Sequence, residues 1–246
     1  YQATPLPGER DEDWRRTSLK EIDFSSYTVE IPLNTPEIPE FLIEPMADQL
    51  HSGQVLVTPT GNRNTLADEL SKSGVIFTDL ISAARDYPEI LRQVFENSNP
   101  ASGKKFYTLA GALPFNGVLL YVPRNVNIKT PLQSVYWASG SGYSHASHVF
   151  VHIEEGASAT FVHESSSDKE SDSLHAGLIH IFVGQDANLT FVELQSWGEN
   201  VINFTQEDVN VERGGSVDWI FGALGSRLTK NYSNLNLVGE GSTGKM

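Results

Sequence analysis

The second half of this chain repeats one short pattern about every 30 residues, and this repeat restricts the fold more than any other feature of the sequence. Beyond Phe106, each unit has a short alternating strand, a polar turn with Gly, Asn or Asp, and a second alternating strand. The units are "LLYVPRNVNIKTPL", "FVHIEEGASATFVHE", "HIFVGQDANLTFVEL", "VNVERGGSVDWIFGA" and "LNLVGEGSTGKM". A repeat of this length with no helical pattern inside it is typical of a solenoid.

Apolar side chains recur at matched positions of successive units. Equivalent places, at offsets of 31, 30, 28 and 26 residues, are held by Val122, Ile153, Val183, Val211 and Leu237. Three further columns follow the turn: Ala159, Leu189 and Val217; Phe161, Phe191 and Trp219; and Val162, Val192 and Ile220. Residues two apart in a strand share a face, so matched residues of stacked strands can build one continuous core. The pattern therefore predicts one coil of a parallel β-solenoid per unit, and favours it over an antiparallel sandwich, which would not require such columns.

A different, partly helical pattern precedes the repeat. We predict a mixed N-terminal domain over residues 1–104 and a repeat domain over residues 105–246, with a linker-like break at "NSNPASGKK". In the first domain, "GQVLVTPTGN" predicts a strand that ends in a Gly-Asn turn, and "YPEILRQVFE" predicts a helix with Pro88 in its first turn. Another stretch of mostly helical spacing, interrupted at Gly74, contains Leu66, Leu70, Val75, Leu80, Ile81 and Ala84. Beyond Phe106 the helical period disappears.

The charge balance and the lack of cysteine exclude several classes of function. With 31 acidic and 17 basic residues, the net charge of −14 argues against a nucleic-acid partner and against docking on anionic lipid. No apolar run approaches the ~20 residues that a membrane-spanning helix needs. Without cysteine, this chain alone can form neither a disulfide nor a thiolate metal or cluster site. Because no signal peptide precedes the sequons at Asn188, Asn203 and Asn231, we expect them to be chance matches in a cytoplasmic protein.

The segment "GEGSTGKM", from Gly239 to Met246, is similar to a phosphate-binding loop. Its spacing matches such a loop at every position but the last, where Met246 replaces the hydroxyl residue that holds magnesium. The segment is also in phase with the turns of the earlier units, and turns favour residues that tolerate positive φ. A phosphate-binding loop needs a helix that begins at its lysine, and the sequence predicts none at Lys245. We therefore interpret these glycines as turn residues.

Histidines in the repeat half suggest a metal-binding alternative. In a strand, His148, His152 and Glu154 share one face, and together with His145 they could hold zinc or iron. The His-x-His pair and the later Gly-rich histidine motif of cupin dioxygenases are missing. The other interpretation of these residues is the solvated outer face of a coil. Weaker signals come from His163, His175 and His180.

Carbohydrate-active enzymes also occur on solenoids, and a few residues raise that alternative. Asp208 and Asp218 flank one turn, although glycoside chemistry needs two or more carboxylates at a fixed separation in a groove. Trp137, Trp197 and Trp219 could stack on sugars. Trp219 shares a column with two phenylalanines, which favours a place in the core.

Three segments together resemble the SufB/SufD family, the scaffold subunits of the SUF iron–sulfur cluster assembly machinery. They are "WRRTSLKEID", "KFYTLAGALPFNGVLLYVPRNVNIKTPLQSVYWA" and "HVFVHIEEGASATFVHES". A SufB chain would carry a Glu-Gly-Cys segment soon after the first coil. This chain has "HESSSDKES" there, and with the Trp-Arg-Arg-Thr entry this makes it most similar to the SufD branch.

The resemblance implies a right-handed parallel β-helix between an N-terminal helical domain and a C-terminal helical domain, so we expect this chain to be a fragment that lacks the last part. It also implies a non-catalytic scaffold subunit, not an enzyme, that pairs with a SufB-like subunit and a SufC-like ATPase. The complex would assemble the iron–sulfur cluster, and we expect this chain alone to bind no cofactor. The family's functional histidine and its ATPase-docking region match no residue within 1–246. We therefore predict no catalytic, cofactor or metal residue, and leave His145, His148 and His152 unassigned.

Overall fold

The structure, a computed structural model, describes residues 3–31, 37–44, 52–96, 105–113 and 116–246. Its strands are β1 Gly53–Thr58, β2 Gly61–Leu66, β3 Ile76–Asp79, β4 Gly117–Val122, β5 Leu132–Trp137, β6 Tyr143–Ile153, β7 Ser158–Ser166, β8 Ser173–Val183, β9 Asn188–Trp197, β10 Ile202–Val211, β11 Ser216–Gly225, β12 Leu228–Leu237 and β13 Thr243–Lys245. Its helices are α1 Glu40–Ile43, α2 Asp68–Lys72, α3 Leu80–Asp86, α4 Pro88–Glu96 and α5 Lys105–Ala112, with 3₁₀ turns at Glu12–Trp14 and Phe24–Ser26. Among these helices, none has the length and apolar character needed to cross a membrane.

Two sheets form opposite walls of a tube. One has seven strands in the order β13-β11-β9-β7-β5-β1-β2, and the other has six in the order β12-β10-β8-β6-β4-β3. Every neighbouring pair is parallel except β1 with β2 and β3 with β4, at one end of each sheet. From β4 onward, consecutive strands lie in opposite sheets, so two strands make one coil. The result is a parallel β-solenoid of about four turns, which confirms the predicted fold class.

The predicted columns are present in the pairing of the strands. On one wall, Val122 pairs with Ile153, and the same column continues through the later coils to Leu237. On the other wall, the Phe161 and Phe191 rings lie 5.7 Å apart, and the Phe191 and Trp219 rings lie 5.9 Å apart. All three of these rings are buried between the sheets. One repeat cannot bury these side chains alone, whereas stacked repeats can.

The column of Val162, Val192 and Ile220 has the predicted alignment but lies on the outer side of the seven-stranded sheet. Val162, Val192 and Ile220 pair in register, yet Ile220 is 51% exposed. Successive side chains of a strand point to opposite faces, so a residue next to Phe161 or Trp219 must point away from the core. This column belongs to the outer surface of the seven-stranded sheet.

One position in each turn has a positive φ. It is held by Asn125, Gly156, Asp186, Gly214 and Gly241, with φ values of 61°, 67°, 55°, 67° and 71°. Glycine, asparagine and aspartate are the residues that tolerate this left-handed conformation best. The polar turn of the repeat is therefore explained by backbone geometry at this position.

Strands from before residue 104 extend both walls. β1 pairs with β5 in parallel and with β2 in an antiparallel hairpin, and β3 pairs with β4. The "NSNPASGKK" segment lies mostly outside the described residues. The boundary between residues 104 and 105 stays a prediction.

Of the helical predictions in this region, one was confirmed, one was confirmed in part, since α2 and α3 lie on either side of Gly74, and one was wrong. The spacing from Leu66 to Ala84 contains β3 between α2 and α3, because all four residues of β3 are buried against β4. The helix α5 continues beyond Phe106, where the sequence predicted no helix. It has no clear helical period because most of its side chains are buried against the six-stranded sheet. The predicted helix that begins at Pro88 is α4.

Helices and the N-terminal segment cover the outer face of the six-stranded sheet. The Phe106 ring of α5 stacks on Phe204 with centroids 3.7 Å apart, and Trp14 packs against both rings. Further along the face, Phe95 of α4 packs on Phe150 at 4.5 Å. The outward side chains of this sheet are therefore buried under helices, which decides the surroundings of several histidines.

Candidate functional site

The interior of the tube is apolar near the turns and polar at the other end of the strands. On β9, the inward side chains begin with Leu189 and Phe191 and continue with Glu193 and Gln195. The same change occurs along β6, β8 and β10. We call the inward-facing polar residues the polar interior; they are Ser134, His145, Ser147, His163, Ser165, His175, Glu193, Gln195, Asn203, Thr205 and Glu207, all buried.

One hydrogen-bonded chain runs through the polar interior from coil to coil. His175 Nε2 lies 2.8 Å from Ser147 Oγ, and His175 Nδ1 lies 2.7 Å from Asn203 Oδ1. Asn203 Nδ2 donates to Gln195 Oε1 at 2.9 Å, and Gln195 Nε2 donates to Glu193 Oε1 at 2.9 Å. With an amide oxygen as its neighbour, His175 carries its proton on Nδ1, and Nε2 accepts from the Ser147 hydroxyl. In this hydrogen-bonded series, every donor group therefore points along the series toward Glu193.

The interior histidines are neutral. His163 is hydrogen-bonded on both ring nitrogens, to Ser134 Oγ at 2.7 Å and to Ser165 Oγ at 3.1 Å. Burial lowers the pKa of His163 to about 3, and lowers the pKa values of His145 and His175 to about 4. Burial penalises the charged imidazolium, and for His175 the hydrogen bond to Asn203 offsets only part of that penalty.

Two glutamates complete the polar interior. Trp219 Nε1 donates to Glu193 Oε2 at 3.2 Å, and the Ser233 hydroxyl donates to Glu207 Oε2. Glu193 is 1% exposed and Glu207 is 0% exposed, and their carboxyl groups are hydrogen-bonded to each other. Burial raises the pKa of Glu193 to about 7. Burial, followed by the charge of Glu193, raises the pKa of Glu207 well above its usual value.

Of the four residues of the metal-binding alternative, only His152 and Glu154 are in contact. His145 points into the tube, whereas His148 and His152 point outward from the same strand, beneath the helices. His148 Nε2 donates to the Ala110 carbonyl of α5 at 2.8 Å, and His152 Nε2 lies 3.3 Å from Glu154 Oε1. Burial lowers the pKa of both outward histidines. Within the part of the chain that the structure describes, no group of three or more His, Cys, Asp or Glu residues has a metal-binding arrangement.

The residues of the carbohydrate alternative are also separated. Asp208 lies on the outer face of the six-stranded sheet, where it accepts a hydrogen bond from Asn234 at 2.8 Å. Asp218 lies on the outer face of the other sheet, 3.8 Å from Lys245 Nζ. The three candidate tryptophans are 3%, 4% and 1% exposed, so none presents a ring on which a sugar could stack: Trp137, Trp197 and Trp219.

The "GEGSTGKM" segment forms a turn and a strand. Gly241 occupies the turn position with positive φ, and β13 then pairs in parallel with β11. Lys245 lies in this strand, and no helix begins there. The phosphate-binding arrangement, which requires the N-terminus of a helix, is therefore not formed by these residues.

Two family models match this chain and together cover nearly all of it. The model described as "SufBD protein N-terminal region" matches residues 1–134, and the model described as "SUF system FeS cluster assembly, SufBD core domain" matches residues 136–246. The chain belongs to the SufBD family. This confirms the resemblance at the level of the family.

Curated SufBD relatives carry the description "Iron-sulfur cluster assembly SufBD family protein". The proteins of this description from Staphylococcus epidermidis and Staphylococcus saprophyticus are each 34% identical to this chain over 182 residues, and that from Staphylococcus aureus is 32% identical over the same length. The alignment covers 74% of this chain and 39% of each relative. This SufBD chain therefore spans well under two thirds of the length of the relatives it matches.

In this SufBD chain, sequence reasoning missed the most densely bonded residues. In the sequence, Asn203 is singled out only as a sequon, and Glu193, Gln195 and Glu207 are not singled out, although the signal is present. Extension of the Leu189 and Phe191 alternation by two and four residues places Glu193 and Gln195 inside the tube.

Proposed function

We propose that this chain is part of a non-catalytic scaffold subunit of an iron–sulfur cluster assembly complex, of the SufD type, that acts in the cytoplasm. Membership of the SufBD family supports the assembly role. The lack of cysteine supports the SufD type, because a chain without thiolates offers no sulfur ligand to a cluster or to sulfur on its way to one. The cluster is the cargo of the complex, and the chain alone binds no cofactor.

The observation that carries the scaffold role is the hydrogen bonding of two histidines in the polar interior. The imidazoles of His163 and His175 are hydrogen-bonded on both nitrogens and held neutral by burial. Such side chains stabilise a rigid rod and are not poised as nucleophiles or as general bases near neutral pH. The long lateral faces of the rod are its means of holding other subunits, which we propose to be a SufB-like subunit and a SufC-like ATPase.

Co-purification tests this proposal. The full-length parent protein, carrying an affinity tag, is expressed with SufB-like and SufC-like proteins from the same source. We expect a stoichiometric complex that gains iron and sulfide, and we expect the parent protein alone to gain neither. If no complex is recovered under conditions in which all three proteins are soluble, the scaffold proposal is wrong.

Elemental analysis separates the scaffold from the metalloenzyme alternative. The parent protein is purified alone and its zinc and iron are measured, with the His148→Ala and His152→Ala variants as comparison. A stoichiometric metal that both substitutions remove would favour the metalloenzyme. We expect the metal content to be independent of both residues.

A further inference from the structure

Two carboxyl groups meet in the polar interior without a buried cation near them. Glu193 comes from β9 on one wall and Glu207 from β10 on the other, and both side chains are essentially unexposed. No lysine or arginine is buried among the residues that the structure describes. The contact between these two acids must therefore be explained by protons and by neutral donors.

The other ionisable groups around the pair do not supply a positive charge. They are His163 of β7, His175 of β8, Asp208 on the outer side of β10, and Tyr107 of α5. From β11 and β12 the pair meets the neutral side chains of Trp219 and Ser233. Both histidines are neutral above about pH 4, and Asp208 adds negative charge. The surroundings therefore disfavour two ionised carboxylates.

The hydrogen bonds account for three of the four carboxyl oxygens. Glu193 Oε1 and Oε2 accept from the Gln195 amide and the Trp219 indole, and Glu207 Oε2 accepts from the Ser233 hydroxyl. No N–H or hydroxyl donor of the described residues reaches Glu207 Oε1, although this atom is buried. Its hydrogen-bond neighbour is the Glu193 carboxyl. Ionised carboxylates only accept, so this contact is a hydrogen bond only if one of the two acids is protonated.

The donors also decide which acid carries the proton. The Gln195 amide N–H and the Trp219 indole N–H can only donate, so both oxygens of Glu193 must accept. Glu207 has one oxygen free of any such donor, and that oxygen can carry a hydrogen. The arrangement is therefore a Glu207 O–H that donates to Glu193.

We propose that Glu193 and Glu207 form a buried single-proton site, in which Glu207 keeps its proton at neutral pH and donates it to Glu193. The Ser233 hydroxyl donates to Glu207, and a hydroxyl can both donate and accept when the proton exchanges. Loss of the proton leaves two carboxylates in contact. Rising pH therefore weakens the part of the tube in which β12 pairs with β10.

Two amide substitutions distinguish this assignment from a purely structural polar cluster. In Glu207→Gln, the amide oxygen accepts from Ser233 and the amide N–H donates to Glu193, which reproduces the protonated acid without a titratable proton. In Glu193→Gln, the amide nitrogen must face either the Gln195 N–H or the Trp219 N–H, so two donors meet. We expect Glu207→Gln to be tolerated and Glu193→Gln to be destabilising. Glu240→Gln, at an exposed position of the last turn, is the matched control.

The first measurement is the pH dependence of urea unfolding of the full-length protein. Both acids have raised pKa values in the folded state, so the folded protein keeps a proton that the unfolded chain releases above the ordinary glutamate pKa of 4.5. The unfolding constant of the wild type should therefore rise with pH from about 4.5 until the folded pair loses its proton, by up to about tenfold per pH unit for one proton. Glu240→Gln should follow the wild type, and Glu207→Gln should lose most of this dependence. Equal pH profiles for the wild type and Glu207→Gln, or equal stability of the two glutamine variants, would overturn the proposal.

The second measurement does not depend on any variant folding. Infrared difference spectroscopy of the wild-type protein, with glutamate labelled with ¹³C, reports the C=O stretch of a protonated carboxyl at neutral pH. We expect one such band, which shifts with the label and disappears as the pH is raised. A neutral-pH spectrum with no protonated glutamate would show that both acids are ionised and would overturn the proposal.

Discussion

Replacement of Phe191 by alanine tests the stacked core most directly. Phe191 is fully buried, with Phe161 on one side at 5.7 Å and Trp219 on the other at 5.9 Å. Truncation of a buried phenylalanine costs about 3–5 kcal/mol, because it loses transfer free energy and leaves a cavity. The two ring contacts add about 0.5–1.5 kcal/mol each. We therefore expect a loss of at least about 4 kcal/mol, which lowers the melting temperature by roughly 10 °C for a domain of this size.

The adjacent residue provides the control. Val192 is in the same strand and in register with its own column, but it points away from the tube and is only half-buried. Val192→Ala removes two carbon atoms from a partly exposed site, so about 1 kcal/mol or less is expected at ~0.8 kcal/mol per buried methylene. Urea unfolding of both variants, followed by circular dichroism, measures the two losses. Similar losses for Phe191→Ala and Val192→Ala would contradict the inward direction of the phenylalanine column and with it the solenoid core.

Three further substitutions test other parts of the fold. Gly156→Ala should lower the free energy of unfolding by about 2 kcal/mol, because φ is +67° and the new Cβ would meet the Asn125 side chain. The control Gly61→Ala, whose new Cβ meets nothing, should change the free energy of unfolding by less than about 0.5 kcal/mol. Equal effects in urea unfolding would contradict the turn geometry. His175→Gln should reduce the stability that is lost between pH 7 and pH 5 by about 2 kcal/mol. The pKa of His175 is lowered to about 4 in the folded protein, so its contribution to stability is present above about pH 6.5 and is lost as the pH falls. An unchanged acid dependence would show that His175 is not the group responsible. Asp79→Ala should cost about 2–3 kcal/mol, because Asp79 caps α3 at Ile81 N and Ser82 N and accepts from Asn62 and Asn64. Asp23→Ala, at an exposed 3₁₀ turn, should cost clearly less, and the reverse order would be inconsistent with the buried cap.

The coils could be predicted from the sequence because their signal is local and repeated. Phe161, Phe191 and Trp219 recur at nearly constant spacing, and pleating then places them on one face. Pleating also places the neighbouring column that contains Ile220 outside, which spacing alone does not reveal. A repeated pattern therefore predicts which residues align, while burial depends on what covers each face.

The remaining features depend on contacts that are distant in sequence. His148 is buried because α5 supplies the Ala110 carbonyl 38 residues earlier in the chain, so an alternating strand pattern cannot distinguish it from a solvated residue. Strand β3 has four buried residues because it pairs with β4, although its neighbourhood has helical spacing. Tertiary packing overrides local propensity at both places.

The polar interior specifies which register the stacked coils adopt. Apolar columns alone restrict the register weakly, because a slip of two residues keeps the same faces inside the tube. Hydrogen bonds between paired residues of neighbouring coils remove this freedom. Inside the tube, His175 Nδ1 donates to Asn203 Oδ1 at 2.7 Å, and on the outer face Asn236 Nδ2 donates to Asn210 Oδ1 at 3.0 Å. A slip of two residues would place His175 opposite Val201 or Thr205 and would leave a buried amide without its partner, which costs about 1–3 kcal/mol for each group. The apolar columns therefore drive the coils together, and the polar ladders select the one alignment in which the two walls of the tube remain in step.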